Sequence, residues 1–199
     1  MGCGRKMIID ISQEVFSCKV FPGDPAPLRN VLLSIEEGAV CNLTAVSMCA
    51  HNGTHVDAPF HFIQNGRTID RVPLEYFVGP CWVSKQDGLV TGENATAILD
   101  KARNENADKR ILIAGKATVT EDAAQVFADH GVWLVGNESQ TVGPEDAPKR
   151  VHEILLGSGS VLLEGIVLTG VAEGKYALHA APLNLGGSDG APCRAYLMR

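Results

Sequence analysis

The stretch Ala50-His51-Asn52-Gly53-Thr54-His55-Val56-Asp57-Ala58-Pro59-Phe60-His61 concentrates residues that can hold a metal ion. Three of the chain's six histidines fall within these twelve residues, with an aspartate between the second and third. Neutral imidazole and carboxylate together suit a borderline divalent ion such as zinc, and manganese accepts the same donors. An ion so held lowers the pKa of a water towards ~7 and polarises a carbonyl, which is hydrolytic chemistry.

The spacing restricts the geometry. His51, His55, Asp57 and His61 all occupy odd positions, so an extended segment would direct them to one face. In a straight strand, at about 3.3 Å per residue, His51 and His55 would lie roughly 13 Å apart. That is too far to share an ion held roughly 2 Å from each ligand atom. A helix would bring His51 and His55 together but would turn Asp57 away. Asn52-Gly53 is a strong turn dipeptide, and Pro59 is a poor helix interior. A turn at Asn52-Gly53 that folds His51 back beside an extended Thr54 to Asp57 satisfies every constraint.

A second group lies far along the chain. Val161 to Leu168 is an apolar run carrying one charge, Glu164, and an unpaired carboxylate there would cost several kcal/mol. Its partner is either a buried Arg or Lys, or a metal. His152 lies on the preceding helix beside Ile154 and Leu155, a setting in which a lone histidine is commonly a packed core residue. The residues alone leave both alternatives open. His130, in the last turn of a helix where a cation suits the dipole, and His179 have no such company and are assigned no chemistry.

The motif His51-x-Gly53-Thr54-His55-x-Asp57-x-Pro59-x-His61 resembles the signature of the cyclase family of metal-dependent hydrolases. Bacterial kynurenine formamidases (arylformamidases) are its best-understood members, and isatin hydrolases are close relatives. The likeness covers nearly the whole chain: Asp10-Ile-Ser12, Phe21-Pro-Gly-Asp24-Pro, Gly66-Arg-Thr-Ile-Asp70, Pro73-Leu74 and the ending from Pro182 through Asp189 to Arg194. His152-x-x-Leu-Leu with Glu164 twelve residues on also resembles the family pattern. The resemblance implies that His51, His55 and Asp57 bind a first divalent ion, with Asp57, His152 and Glu164 holding a second. His61, on the same face and not needed as a ligand, suits a proton shuttle to the leaving nitrogen.

Two departures bear on the substrate. Phe21 stands where kynurenine formamidases commonly have a tryptophan against the aromatic substrate, and it can still stack on a ring. Gly136-Asn-Glu138-Ser-Gln140 replaces a stretch usually reading Gly-x-Asp-x-Pro-Ser.

The elements that must position these residues are partly readable. Met7 to Ile11, Val31 to Ile35 and Asn42 to Met48 read as strands, the last delivering the chain into the His51 turn. Cys81 to Val83 reads as a strand and Glu93 to Ala102 as a helix. Ile111 to Ala114, a helix opened by a Thr118-x-x-Glu121 capping box, and Val132 to Val135 imply a parallel βαβ crossover. Pro148 to Leu156 reads as a helix stopped by Gly157, followed by a buried strand over Val161 to Leu168. Tyr196-Leu197 is the final strand expected. The class expected is α/β, as one domain over 7–199 after a short extension at 1–6. From the resemblance, the core is a barrel-like mixed sheet with outer helices, of the swivelling β/β/α type.

Composition narrows the partners. At 199 residues, 45% hydrophobic and 20% charged, the chain is long enough for a substantial core and unlike a disordered one. A formal charge of −6 without a Lys/Arg cluster argues against nucleic acid. No run of about 18 apolar residues exists to span a membrane. The six cysteines include no Cys-x-x-Cys pair and read as reduced thiols. Met1-Gly-Cys-Gly-Arg-Lys6 lacks the apolar core of a signal peptide, so a cytoplasmic location is expected.

The expected function is cleavage of the formamide bond of N-formylkynurenine or a similar aryl formamide. A cyclic amide such as isatin is the alternative substrate. A non-catalytic protein gripping a small amide through the metal, and a lyase acting through an enolate, are the competing classes. The resemblance further implies a homodimer or larger homo-oligomer.

Overall fold

The structure, a computed structural model, describes residues 7–199; the extension expected at 1–6 lies outside the described residues. The chain opens with β1 (Ile8–Asp10), the hairpin strands β2 (Leu28–Leu33) and β3 (Leu43–Ser47), and the short β4 (His55–Asp57). β5 (Val78–Lys85) and β6 (Gly88–Val90) lead into α1 (Gly92–Asn104). β7 (Arg110–Ala114) and β8 (Ala117–Val119) precede α2 (Glu121–Asp129), and β9 (Leu134–Asn137) precedes α3 (Lys149–Gly157). Then come β10 (Val161–Glu164), β11 (Gly174–His179), β12 (Gly190–Pro192) and β13 (Tyr196–Met198).

Nine of these strands form one strongly curled mixed sheet, a half-barrel, in the order β1-β13-β11-β5-β7-β9-β10-β4-β12. Its centre, β5-β7-β9-β10, is parallel, each step crossing over through one of the three helices. The α/β class with a barrel-like core and outer helices is therefore found, as is the βαβ unit around α2. The central strands are apolar on both faces because both are covered. Ile111, Ile113, Val135 and Leu162 pack with the helices, whereas Leu112, Ala114, Leu134, Val161 and Leu163 fill the hollow of the barrel.

Several boundaries differ from the sequence expectation. Thr118 lies within β8, and the N-cap of α2 is Thr120, whose hydroxyl donates to the Val90 carbonyl at 2.7 Å. The Thr118-x-x-Glu121 spacing is thus not a capping box. The strand expected to run to Leu168 ends at Glu164, because Gly165 turns the chain at φ +65°. The second strand begins at Leu28, not Val31, and Ile35 belongs to a short 3-10 turn.

Two features matter for the site. β4 is laid antiparallel between β10 and β12, so a three-residue strand is held on both edges. The β2–β3 hairpin forms its own two-stranded sheet and is exposed throughout both strands, with Leu28, Val31, Leu32 and Val46 open to solvent. Among the described residues, no helix is long and apolar enough to cross a membrane.

Candidate metal centre

His51 closes the loop after β3. Asn52 pins that loop on itself: its N–H donates to the Cys49 carbonyl at 3.3 Å, and its side-chain oxygen accepts from Cys49 N–H at 2.8 Å. Gly53, at φ +66°, completes the turn. The His51 and His55 rings then stand 5.1 Å apart between centroids, the folding back that their spacing required. The next residue, Thr54, anchors the loop to β10, its hydroxyl donating to the Gly165 carbonyl at 2.6 Å and accepting Gln13 N–H at 2.9 Å.

β4 then alternates. Val56 enters the barrel core while His55 and Asp57 share the opposite face, all three buried. On the neighbouring strand Glu164 pairs directly with His55, so a residue more than a hundred positions away arrives on the same face by register. Glu164 has no Arg or Lys partner among the described residues. It faces His55 Nε2 at 3.5 Å and His152 Nε2 at 3.3 Å, and accepts Val142 N–H at 2.8 Å.

The two buried histidines are oriented alike. His55 Nδ1 meets the Gly53 carbonyl at 3.0 Å, and His152 Nδ1 meets the Pro148 carbonyl at 2.9 Å. Each Nδ1 donates its proton to a carbonyl, leaving Nε2 turned into the cluster, the usual outer arrangement of a metal-binding histidine. Asp57 lies between them. Its Oδ1 is 2.7 Å from His51 Nδ1 and 3.3 Å from His55 Nε2, and its Oδ2 is 3.6 Å from His152 Nε2. Oδ2 is buried with no hydrogen-bond partner, which a carboxylate oxygen tolerates poorly unless a cation meets it. Ligand atoms of His51, Asp57 and His61 lie within 4.8 Å of one another, as do those of His55, Asp57 and Glu164. The donor set therefore fits divalent ions bound by imidazole and carboxylate.

Asp189 is the site residue that sequence reasoning left without a role. One oxygen, Oδ2, contacts both His51 Nε2 at 2.9 Å and His61 Nδ1 at 3.1 Å. The residue stands just before β12, whose pairing with β4 carries it to the site. Its only sequence signal was membership of the Pro182 to Arg194 ending. Next to it, Gly190 is required for space, since a Cβ there would sit 2.8 Å from the His51 ring.

The electrostatics follow from this crowding. Burial works against a charged His51, but the hydrogen bonds it donates to Asp189 and Asp57 outweigh it and carry its pKa up to about 11. Burial likewise opposes charge on His55, and Asp57 and Glu164 raise its pKa to about 10. His152 is raised less, burial again opposing Glu164. His61 is lowered, because burial and the neighbouring His51 prevail over Asp57 and Asp189. His51 holds the Asp189 carboxyl well below the usual carboxylate range.

All the residues singled out from sequence converge here. His61, from a 3-10 turn at Pro59–His61, stacks on His51 at 4.0 Å between centroids. Phe21 lines the adjoining cleft of about 250 Å³, together with Asp24, Phe62, Gln140, Thr141 and Pro148. Glu138, in the stretch that departs from the family pattern, does something else. It accepts the backbone N–H groups of Gly115 and Leu168, each at 2.7 Å, and ties the end of β7 to the loop that follows β10.

A curled mixed sheet presenting histidines and carboxylates from β4, β10 and α3 defines a metal-dependent hydrolase. The Cyclase family model matches residues 9–144, and the chain belongs to this family. A curated kynurenine formamidase from Salinibacter ruber is 35% identical, covering 96% of this chain and 96% of its own. A solved structure described as a potential metal-dependent hydrolase with cyclase activity superposes with TM-score 0.81 at 28% identity, covering 98% of each chain. Isatin hydrolase A from Labrenzia aggregata superposes with TM-score 0.81 at 21% identity, covering 97% of this chain and 93% of its own, a likeness of fold.

Proposed function

We propose that residues 7–199 form one metal-dependent amidohydrolase unit that opens the formamide bond of N-formylkynurenine or a similar aryl formamide. The observation that carries this is the placement of Asp57. Its two oxygens face different imidazoles, Oδ1 towards His51 and His55, Oδ2 towards His152. With that placement Asp57 would serve two divalent ions, His51 and His55 helping to hold one, and His152 and Glu164 the other. We assign zinc, with manganese accepting the same donors.

When bound, the ions polarise the amide carbonyl and acidify a water. The chain's own residues do the remainder. Asp57 and Glu164 balance the ionic charge in a buried setting, while the carbonyls of Gly53 and Pro148 fix the two Nε2 atoms. Asp189 accepts the Nδ1 proton of His61, which leaves Nε2 free to take a proton and pass it to the departing nitrogen. Phe21 and Phe62 offer ring faces to an aryl substrate. The 35% identity to a kynurenine formamidase over nearly the whole chain supports N-formylkynurenine first.

We also infer a cytoplasmic homodimer. The apolar β2–β3 hairpin, exposed on both strands, supports a second copy as its cover. The free thiols at Cys18, Cys41, Cys49, Cys81 and Cys193 support a reducing compartment.

Elemental analysis of the purified protein beside a formate-release assay on N-formylkynurenine, before and after chelation, tests the reading. Bound metal with chelator-sensitive turnover is expected. Bound metal with turnover of isatin alone would move the substrate to cyclic amides. A protein that takes up no metal when zinc or manganese is supplied would end the hydrolase reading.

A further inference from the structure

Away from the histidines and carboxylates of the metal cluster, the cleft is uncharged except at one place. Phe21, Phe62, Gln140, Thr141 and Pro148 line it, and the remaining charge is Asp24. No lysine or arginine is among the lining residues. Asp24 is half-buried, and among the described residues its carboxylate accepts only one long contact, from the Cys49 thiol at 3.8 Å.

Asp24 and Phe21 come from one tight turn. Asp24 N–H donates to the Phe21 carbonyl at 3.1 Å, with Gly23 at φ +100° between them. The ends of such a turn lie within about 7 Å of each other. An aromatic ring and a carboxylate without a cation partner among the described residues therefore reach the wall of one cleft from a single turn. A substrate ring against Phe21 would bring its own substituent to Asp24.

Covering a carboxylate with a substrate removes it from water, and the cost is met only if the substrate brings a cation or donors. A neutral alkyl group leaves the charge uncompensated, and a carboxylate adds repulsion. We propose that Asp24 is a specificity-determining residue that takes a primary ammonium carried on the side chain of an aryl amide. The inference rests on the amidohydrolase reading and names the residue that ranks substrates within it: cationic or zwitterionic aryl amides before neutral ones, and neutral before anionic.

The test uses the metal-loaded enzyme and two formanilides that differ only in the ortho side chain, one ending in a primary ammonium and the other in a methyl group. Formate release gives kcat/KM for each. The wild-type ratio should favour the ammonium probe by about tenfold, the scale of one charge-assisted contact. Asp24→Asn should bring the ratio near one, chiefly through KM, and Asp24→Glu should restore part of it. An equal ratio in wild type and Asp24→Asn would overturn the role of Asp24 while leaving the hydrolase reading in place. Failure of the wild type to cleave either probe would overturn the amidohydrolase reading, and this inference with it.

Discussion

Glu164 on β10 stands directly opposite His55 on β4 in an antiparallel ladder, with Oε2 3.5 Å from the imidazole Nε2. The pairing makes a cross-strand contact out of two residues remote in sequence, and it gives Glu164 a fixed rather than a searching geometry. Glu164→Gln keeps the shape and removes the charge. If the site holds two ions as proposed, the expected result is loss of one of them with the fold retained, seen as a halved metal content by elemental analysis and an unchanged far-ultraviolet spectrum. Full metal content in that variant would remove Glu164 from the ligand set.

His61 and Asp189 form a second testable pair, joined at 3.1 Å. His61→Ala should retain metal and lose activity by about 10²-fold or more, the usual scale of an acid–base group. Loss of metal would make His61 a ligand instead. Asp189→Asn acts more subtly. Burial lowers the His61 pKa and Asp189 opposes that, so removing the charge should lower it further. The acid limb of the kcat/KM profile should then move to lower pH. A limb that moves to higher pH would contradict the assigned base.

The sign of a pH effect on metal affinity also follows. Against the cost of burial, the carboxylates raise the His51 pKa to about 11 and that of His55 to about 10. Ligation must displace those protons, because the metal ligand is the neutral imidazole. Affinity should therefore rise with pH and fall towards acid, by up to about two logarithmic units per pH unit if two protons leave together. Competition against a chromophoric chelator between about pH 6 and about pH 9 measures the slope. A flat profile would mean that the rings do not ligate.

The site was legible in sequence where its residues are close together. Parity and the Asn52-Gly53 turn were enough to place His51, His55 and Asp57 around one point, because the constraint was local. Glu164 announced itself by being a charge in an apolar run. Asp189 gave no comparable signal: it sits in a polar loop, and only the register of β12 against β4 makes it a partner of His51. One parallel step of the sheet, β7 to β9 across α2, was readable because both faces are buried and the runs are apolar; the steps from β5 to β7 and from β9 to β10 were not. β11 is not evident from the sequence, since only Tyr176 and Leu178 are buried, and Ala177 and His179 between and after them are too weakly polar to mark an alternation. The cap expected at Thr118 fails for a different reason: only Thr118 has a glutamate three residues on, but the pairing of β8 with β6 takes it into a strand and leaves Thr120 to open the helix.

Thr54 ties the metal loop to the rest of the sheet, and its loss should separate stability from chemistry. Its hydroxyl is buried, donates to the Gly165 carbonyl at 2.6 Å and accepts Gln13 N–H at 2.9 Å. Thr54→Val preserves the volume and leaves both backbone groups without this partner. Each buried group so orphaned costs about 1–3 kcal/mol. The loss should be in that range for the pair, because Gln13 is only partly buried and water can reach it. Urea unfolding should show a lower midpoint with an unchanged slope. Gly165 directly follows Glu164, and Thr54 directly precedes His55, so the same change loosens the His55–Glu164 register. Metal should be held more weakly even where the protein remains folded. A variant with wild-type metal affinity and reduced stability would confine Thr54 to packing, and one with neither change would remove it from the account of the site.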